Sequence, residues 1–388
     1  MRIFTDHQPN GGIRILVLGA GHYPFAQASR PKVPKLVNIS SAAQSAIDFA
    51  KYALTDWRPL FGKPLASVDL LANDAEFPEG LIFSCAGVEP IQVESPTLAN
   101  IISARGSWLK EINSSDTLIF YCCGHGIWLP SVGNSFLASD FGVDAESPWP
   151  NAISLDAMAQ GLADKIPREQ WLFFDCCAST APQALRDSNP APNPLVSTTY
   201  GMRKTVTDLY GPLVQAKVAS ATPGSEAYGR ENGRSRFMDV FVEACEDSGF
   251  RDQAGDDRWW LTLQGLETAI STYRFRVASP QDREYYHFSR LTQTDSTETP
   301  RLFVRDKPAA CTLLVSSEPS LRLKQCDLNI YLQTTRIDGQ SAGPDAQERF
   351  RRVVEPFWNY RVDAHWPEGL QTRERYALPP LSEVIFGG

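Results

Sequence analysis

The chain has 388 residues, of which 43% are hydrophobic and 21% charged, as is ordinary for a folded globular protein. A formal net charge of −8 argues against a general nucleic-acid binder, which would present a basic face. The apolar run at Ile15–Ala20 is too short to target the chain or to span a bilayer, so we expect no membrane association.

Cysteine usage indicates the redox compartment. Two of the eight cysteine positions form one adjacent pair, Cys122 and Cys123, and two more form a second pair, Cys176 and Cys177. Both pairs end apolar runs rather than lying at loop spacings, which favours free thiols over a disulfide framework. We therefore expect a cytoplasmic protein.

Apolar strands alternate with helices along the first three quarters of the chain. The predicted strands are Arg14–Ala20, Ser67–Ala72, Asp116–Cys123, Gln170–Cys177, Leu213–Ala221 and, as the last of the series, Thr299–Val304. The predicted helices are Ser40–Thr55, Pro96–Leu109, Leu155–Lys165, Ser235–Cys245 and Thr262–Tyr273. This alternation indicates βαβ units, and hence an α/β fold with a mostly parallel sheet flanked by helices.

Two stretches interrupt this pattern. Prolines at positions 182, 190, 192 and 194 predict an irregular, flexible and exposed loop at about 182–210, which would suit a cleavable linker or serve only as a surface connection. Beyond residue 305 the predicted strands are Cys311–Ser316, Cys326–Leu332 and Tyr360–Trp366, with a short helix at Arg349–Trp358. We therefore expect a main domain at 1–305 and a smaller β-rich accessory domain at 306–388.

The strongest chemical signal lies at the end of the fourth predicted strand, where Trp171–Phe174 leads into Asp175, Cys176 and Cys177. Parallel sheets bind ligands at the carboxyl ends of their strands. Because side chains alternate along a strand, Asp175 and Cys177 share one face with Phe173, while Phe174 and Cys176 lie on the other.

A second strand of the same design ends in Gly124-His125-Gly126. His125 and Cys177 are separated by 52 positions (177 − 125) and would meet at neighbouring strand ends. A thiol nucleophile needs a base, which His125 supplies, and the N–H groups of Gly126 and Cys177 could hold an oxyanion. The expected reaction is attack of Cys177 on a peptide carbonyl.

These two motifs resemble the hallmark motifs of the caspase-like cysteine peptidases of family C14, most closely the metacaspases and their bacterial relatives. The 52-residue spacing agrees with the roughly 50 residues typical of caspases. The resemblance covers about residues 12–305. It implies a caspase-like fold and a dyad of His125 and Cys177, used by a regulated effector endopeptidase in stress, defence or cell-death pathways.

The resemblance also implies a specificity. An aspartate two positions before the nucleophile accompanies cleavage after Arg or Lys in such enzymes, so Asp175 is expected in the S1 pocket, which accommodates that residue. Cys123 occupies a pocket-lining position that is usually serine in metacaspases. Ala178 and Thr180 depart from the residues that commonly follow the metacaspase nucleophile. Some relatives require calcium, for which the sequence offers no acidic cluster, and we expect no cofactor.

Several alternatives stay open. Cys122 and Cys176 are interpreted as core packing, and a zinc site formed by the two cysteine pairs and His125 is disfavoured by strand alternation. Asp175 could pair with a buried arginine, and Glu226 could line the pocket or simply be exposed. At the level of function, the alternatives are a catalytically silent caspase-like scaffold, a caspase-like protease with a non-basic preference, and a transferase or ligase that uses the same thioester. Expected partners are a protein or peptide substrate and an activating protein.

Overall fold

The computed structural model describes residues 1–77, 80–230, 233–254, 258–273, 292–293, 299–379 and 381–387. The chain divides into two compact units. The first comprises Met1–Phe241 with Ala278–Leu302, and the second comprises Val242–Val277 with Phe303–Gly388. The chain passes between the two units three times, and the boundary drawn from the sequence, between residues 305 and 306, lies near the last of these passages, after Leu302.

The strands of the described residues are numbered in chain order. In the first part of the chain they are β1 (Arg2–Thr5), β2 (Ile13–Ala20), β3 (Leu65–Asn73), β4 (Gly80–Cys85), β5 (Val88–Glu94), β6 (Thr117–Gly124), β7 (Gly126–Leu129), β8 (Gly133–Leu137), β9 (Ala152–Ser154), β10 (Glu169–Cys176), β11 (Ser179–Thr180) and β12 (Val214–Ala219). They continue as β13 (Phe250–Ala254), β14 (Arg258–Thr262), β15 (Thr292–Gln293), β16 (Arg301–Arg305), β17 (Cys311–Ser317), β18 (Asp327–Leu332), β19 (Thr335–Gln340), β20 (Phe350–Val354), β21 (Asn359–Trp366), β22 (Gly369–Tyr376) and β23 (Leu381–Phe386).

The α-helices are α1 (Ser40–Leu54), α2 (Leu98–Trp108), α3 (Leu155–Ala163), α4 (Gln183–Arg186), α5 (Met202–Tyr210), α6 (Arg236–Glu243) and α7 (Leu263–Thr272). Side-chain caps begin two helices at the sheet, because Thr97 accepts the N–H of Asn100 and Ser154 accepts that of Ala157. Within the described residues, no helix is both long and apolar enough to cross a bilayer.

The first unit is built on a seven-stranded sheet in the order β1-β3-β2-β6-β10-β12-β15. The five central strands, β3 to β12 in that order, are parallel, and the edge strands β1 and β15 are antiparallel to their neighbours. The protein is therefore a mixed α/β protein with a mostly parallel main sheet, as predicted. The five predicted parallel strands and the five predicted helices are all present, and each end lies within two residues of its predicted position.

Side-chain alternation divides the core between the two faces of this sheet. On one face, Phe49 of α1 stacks on Tyr121 of β6 and packs near Phe173 of β10. The other face belongs to a cluster that joins α2 and α3 to Phe120, Cys122, Phe174 and Cys176. The predicted alternation of Phe173 and Asp175 with Phe174 and Cys176 is thereby confirmed, and so is core packing for Cys122 and Cys176.

The predicted irregular loop at 182–210 contains two helices, so this prediction is wrong in part. The prolines at 190, 192 and 194 confine irregular backbone to the segment between α4 and α5. Helix α5 buries Val206, and Arg168 donates to Thr207 Oγ1 (3.3 Å) and to the carbonyl of Gly211 (3.1 Å). These contacts hold the second half of the segment in place.

Two further element predictions are corrected. The strand predicted at Thr299–Val304 forms as β16 but lies in a three-stranded sheet with β13 and β14, whereas β15 ends the main sheet. The helix predicted at Arg349–Trp358 is instead β20, which pairs antiparallel with β17. Its buried residues Phe350 and Val354 are four apart, a spacing that suits one face of either a helix or a strand.

The second unit contains two sheets that share one hydrophobic core. Strands β20-β17-β23 form one sheet and β19-β18-β21-β22 the other. Alternate residues of β17, β18, β21 and β23 fill the core between them, including Leu313, Ile330, Val362 and Phe386. This part of the chain is β-rich, as expected.

Gly19 of β2 allows helix α1 to pack closely against the main sheet. A Cβ there would lie 2.5 Å from Cβ of Ala46 and 2.8 Å from the carbonyl oxygen of Ala42. We expect Gly19→Ala to lower the free energy of unfolding by about 1–3 kcal/mol through overpacking. A Cβ on Gly106 in α2 would meet no atom within 4 Å, so Gly106→Ala should raise it by about 0.5–1 kcal/mol. Urea denaturation of both variants measures this difference, and equal effects would contradict the packing.

Candidate active site

The two motifs lie on adjacent parallel strands at the same level. Strands β10 and β6 pair Asp175 with Cys123 and Cys176 with Gly124, and beyond them β11 and β7 pair Ser179 with Ile127. The offset is 52 on both sides (176 − 124 and 179 − 127), so the register places Cys177 opposite His125 (177 − 125). Since neighbouring strands lie about 4.8 Å apart, the two side chains reach the same space.

His125, Gly126 and Cys177 line one cavity of about 750 Å³, a size typical of ligand sites. Its walls come from the ends of β6 and β10, from β7, β8 and β11, and from two further segments, one that leads into the start of α1 and one after β12. The residues of these two segments that line the cavity are Pro34–Ser41 and Glu226–Arg230. The sheet therefore assembles the site at the carboxyl ends of its parallel strands.

A backbone carbonyl orients the imidazole of His125. Nε2 of His125 lies 2.8 Å from the carbonyl oxygen of Val37. Because a carbonyl can only accept, Nε2 carries the proton in this contact, and the lone pair of the neutral ring is on Nδ1. Burial lowers the pKa of His125 while the bond to Val37 opposes that shift, so the neutral form is favoured. A base oriented by a third group is the arrangement that activates a nucleophile.

The Cys177 thiol is half-buried and contacts Ala227. The N–H of Ala227 donates to Sγ (3.3 Å), and the thiol faces the carbonyl of Ala227 (3.6 Å). Burial raises the pKa of Cys177 to about 11, against the effect of the Ala227 N–H. With the thiol pKa raised and that of His125 lowered, the free site holds a neutral thiol and a neutral imidazole rather than an ion pair.

Each glycine beside His125 permits a close approach. A Cβ on Gly124 would lie 2.8 Å from Tyr23 Oη, and one on Gly126 would collide with the carbonyl oxygen of Cys177. The N–H of Leu137 donates to the carbonyl of His125, so the next pair, Gly126 with Phe136, is a non-hydrogen-bonded pair of β7 and β8. The N–H of Gly126 therefore points away from β8, toward the side on which Cys177 lies.

Asp175 and Cys123 are buried beside the cavity rather than on its wall. The carboxylate of Asp175 accepts hydrogen bonds from Tyr121 Oη (2.8 Å) and from Ser235 Oγ. Ser235 also caps α6 by accepting the N–H of Met238 (2.9 Å). Burial raises the pKa of Asp175, and the hydrogen bonds from Ser235 and Tyr121 oppose that shift. Asp175 is thus tied to a neighbouring strand and to a helix start, and two hydroxyl groups take the place of the buried arginine that was considered as an alternative partner.

The zinc alternative is not supported by the arrangement of its five candidate ligands. Cys122 and Cys176 pack in the core on the α2–α3 face, whereas Cys123 lies opposite Asp175 on the other face. In the described part of the chain, no three His, Cys, Asp or Glu side chains come together as a metal site.

Three residues of the site were missed from the sequence: Tyr23, Val37 and Ala227. Tyr23 and Val37 follow β2, and Ala227 follows β12. The sequence did contain a general signal for these residues. Ligands bind beyond the carboxyl ends of parallel strands, and both β2 and β12 were predicted. Nothing in the local sequence distinguishes these three positions, however, because two of them act through backbone atoms.

Comparison with known proteins finds a distant relative of the chain. The chain is 25% identical over 214 residues to the protein named "Uncharacterized protein y4kE" of Sinorhizobium fredii (strain NBRC 101917 / NGR234). The match covers 54% of this chain and 57% of that protein, so the chain spans little more than half the length of the relative it matches. No family model matches the chain.

The thiol of Cys177 should react slowly at neutral pH. We expect its alkylation by iodoacetamide to increase with pH toward a midpoint of about 11, because burial disfavours the thiolate. A free cysteine has its midpoint near about 8.5. Mass spectrometry of the peptide that contains Cys177 measures the rate, and Cys177→Ser identifies the signal. A midpoint below about 7 would instead indicate a thiolate–imidazolium pair.

Proposed function

We propose that the protein is a cysteine endopeptidase with a caspase-like fold, in which His125 and Cys177 form the catalytic dyad. The observation that carries the proposal is the common register of the two residues at adjacent strand ends, in one cavity, with His125 oriented by the carbonyl of Val37. The mostly parallel sheet flanked by helices over the first unit is compatible with such a fold.

The reaction begins from the neutral pair. Nδ1 of His125 takes the thiol proton as Sγ of Cys177 attacks the peptide carbonyl, because neither group is charged beforehand. The N–H of Gly126, directed away from β8, and that of Cys177 are the donors assigned to the oxyanion. The protonated His125 then gives its proton to the leaving amine. Water hydrolyses the thioester to a free acid, which restores the thiol.

The substrate is a protein or peptide cut after Arg or Lys. Among the described residues on the cavity wall, the carboxylate belongs to Glu226, while Asp175 lies buried behind it in its own hydrogen-bond network. We assign recognition of a basic residue to these two carboxylates, with Cys123 beside Asp175. Arg203 and Lys204, in the segment after Pro182, are exposed, but both lie in helix α5. Self-cleavage after either residue would therefore require this helix to unfold locally.

A non-basic preference is the second candidate, and two observations favour it. The cavity wall carries two cationic side chains, that of Lys35 and that of Arg230, which pairs with Asp239 (3.1 Å). The Asp175 carboxylate is already satisfied by Tyr121 and Ser235. An acidic or apolar residue would then precede the cleaved bond. Under either candidate the protein acts as a regulated cytoplasmic effector that is switched by an activating protein.

The dyad is tested with two substitutions and a control. Cys177→Ala and His125→Ala should each lower kcat/KM for fluorogenic peptides by at least about 1,000-fold, because each removes a reacting group. Cys85→Ala changes a partly exposed cysteine outside the cavity and should leave activity unchanged. Thermal melting confirms that the variants fold. Cys177→Ala with full activity would refute the assignment. The silent-scaffold alternative would be favoured if the wild-type protein is inactive and its Cys177 does not react with a thiol-reactive peptide probe, with or without calcium.

The specificity is tested with four peptides that end in Arg, Lys, Asp or Leu before the fluorophore. We expect hydrolysis after Arg and Lys, and a fall in kcat/KM of about 10-fold or more for these peptides in Glu226→Gln, since a charged hydrogen bond to the substrate is lost. Asp175→Asn should also lower kcat/KM for the peptides that end in Arg and Lys. Preferred hydrolysis after Asp or Leu would keep the protease and establish the second candidate. Transfer of the acyl group to an added amine instead of water would indicate a transferase.

A further inference from the structure

The backbone of His125 is held by a side chain inserted into the ladder between β7 and β8. Next to the Gly126–Phe136 pair, His125 and Leu137 form the hydrogen-bonded pair of the antiparallel pattern, which ordinarily exchanges two direct bonds. One bond is direct, from the N–H of Leu137 to the carbonyl of His125 (3.0 Å). The other passes through Tyr23: the N–H of His125 donates to Tyr23 Oη (2.8 Å), and Oη donates to the carbonyl of Leu137 (3.4 Å).

The position of Tyr23 is fixed from both ends. Its side chain is fully buried, and its ring lies 5.0 Å from the imidazole of His125 between centroids. Its carbonyl accepts the N–H of Ala26 (3.1 Å) and the side-chain amide of Gln27 (2.8 Å). Gly124 leaves the space that Oη occupies, since a Cβ at that position would lie 2.8 Å from it. The hydroxyl group is therefore a rigid spacer at the residue that carries the base.

The spacer has a consequence for the imidazole. A direct second bond would draw His125 against β8, as in an ordinary ladder, whereas the inserted hydroxyl keeps the two backbones apart at this one pair. The side chain of His125 then lies between the ring of Tyr23 and the carbonyl of Val37. Burial raises the pKa of Tyr23 well above its usual range, so the hydroxyl stays neutral and can both accept and donate.

We propose that Tyr23 is a positioning residue of the active site, whose hydroxyl group sets the placement of His125 relative to Cys177. The catalytic effect of Tyr23 rests on the proposed function. The contact between Tyr23 and His125 rests on the geometry alone. Tyr23 touches neither substrate nor thiol in this scheme and acts through the backbone of His125. Phenylalanine would keep the ring contact and remove only the bridge, which makes Tyr23→Phe the informative change.

The test combines kinetics with amide hydrogen exchange. In Tyr23→Phe we expect kcat to fall about 10- to 100-fold with KM changed less than about twofold, because misplacing the base affects the transition state rather than substrate binding. The amide of His125 should exchange with deuterium about 10-fold faster or more, because its acceptor is gone. Exchange is measured by NMR or by mass spectrometry of short peptides.

Tyr360→Phe is the matched control. Tyr360 is a buried tyrosine of the other compact unit, and its hydroxyl donates to the carbonyl of Glu355 (3.1 Å). This variant should lose a similar amount of thermal stability and leave kcat and the exchange of His125 unchanged. Unchanged kcat in Tyr23→Phe would overturn the positioning role, and unchanged exchange would overturn the contact. If the wild-type protein hydrolyses nothing, the proposed function fails, while the exchange measurement still decides whether Tyr23 holds His125.

Discussion

The shared register of two parallel strands is the constraint on which the site depends. Paired residues of β6 and β10 in the main sheet are 52 positions apart. The same offset holds between β7 and β11, which belong to a smaller sheet with β8 and β9. Hydrogen bonds between the strands therefore set the relative position of His125 and Cys177, which loops alone would leave free. A slip of one residue would turn each side chain to the opposite face. The two side chains are thus placed by the hydrogen-bonded strands of the first unit.

Backbone groups make several of the polar contacts around His125 and Cys177. The carbonyl of Val37 orients the imidazole, the N–H of Ala227 contacts the thiol, and the N–H of Gly126 is directed to the same side as Cys177. Backbone dipoles held by secondary structure need no side-chain entropy to stay in place. The glycines on either side of His125 make these close contacts possible, because each leaves space for a neighbouring group.

The burial that organises the site also sets its protonation state. It disfavours the thiolate at Cys177 and the imidazolium at His125, so both groups are neutral in the free site. Asp175 is subject to the same burial and is stabilised by Tyr121 and Ser235. In the described arrangement this carboxylate links β10 to β6 and to the start of α6. Asp175 therefore serves the fold through these bonds whether or not it also meets a substrate.

The sequence by itself determined the alternation of strands and helices, the faces of Phe173 to Cys176, and the juxtaposition suggested by the spacing of His125 and Cys177, because these follow from local periodicity and from strand ends. The prediction from sequence was wrong for β20, whose apolar spacing fits a helix as well as a strand. It was also wrong for the sheet to which β16 belongs, because that pairing depends on the tertiary fold. Only the tertiary structure decided the roles of Tyr23, Val37 and Ala227. Tyr23 and Val37 contact His125 across 102 and 88 residues of chain, and Ala227 contacts Cys177 across 50. Such contacts depend on how segments outside the regular elements pack, and no local pattern encodes that packing.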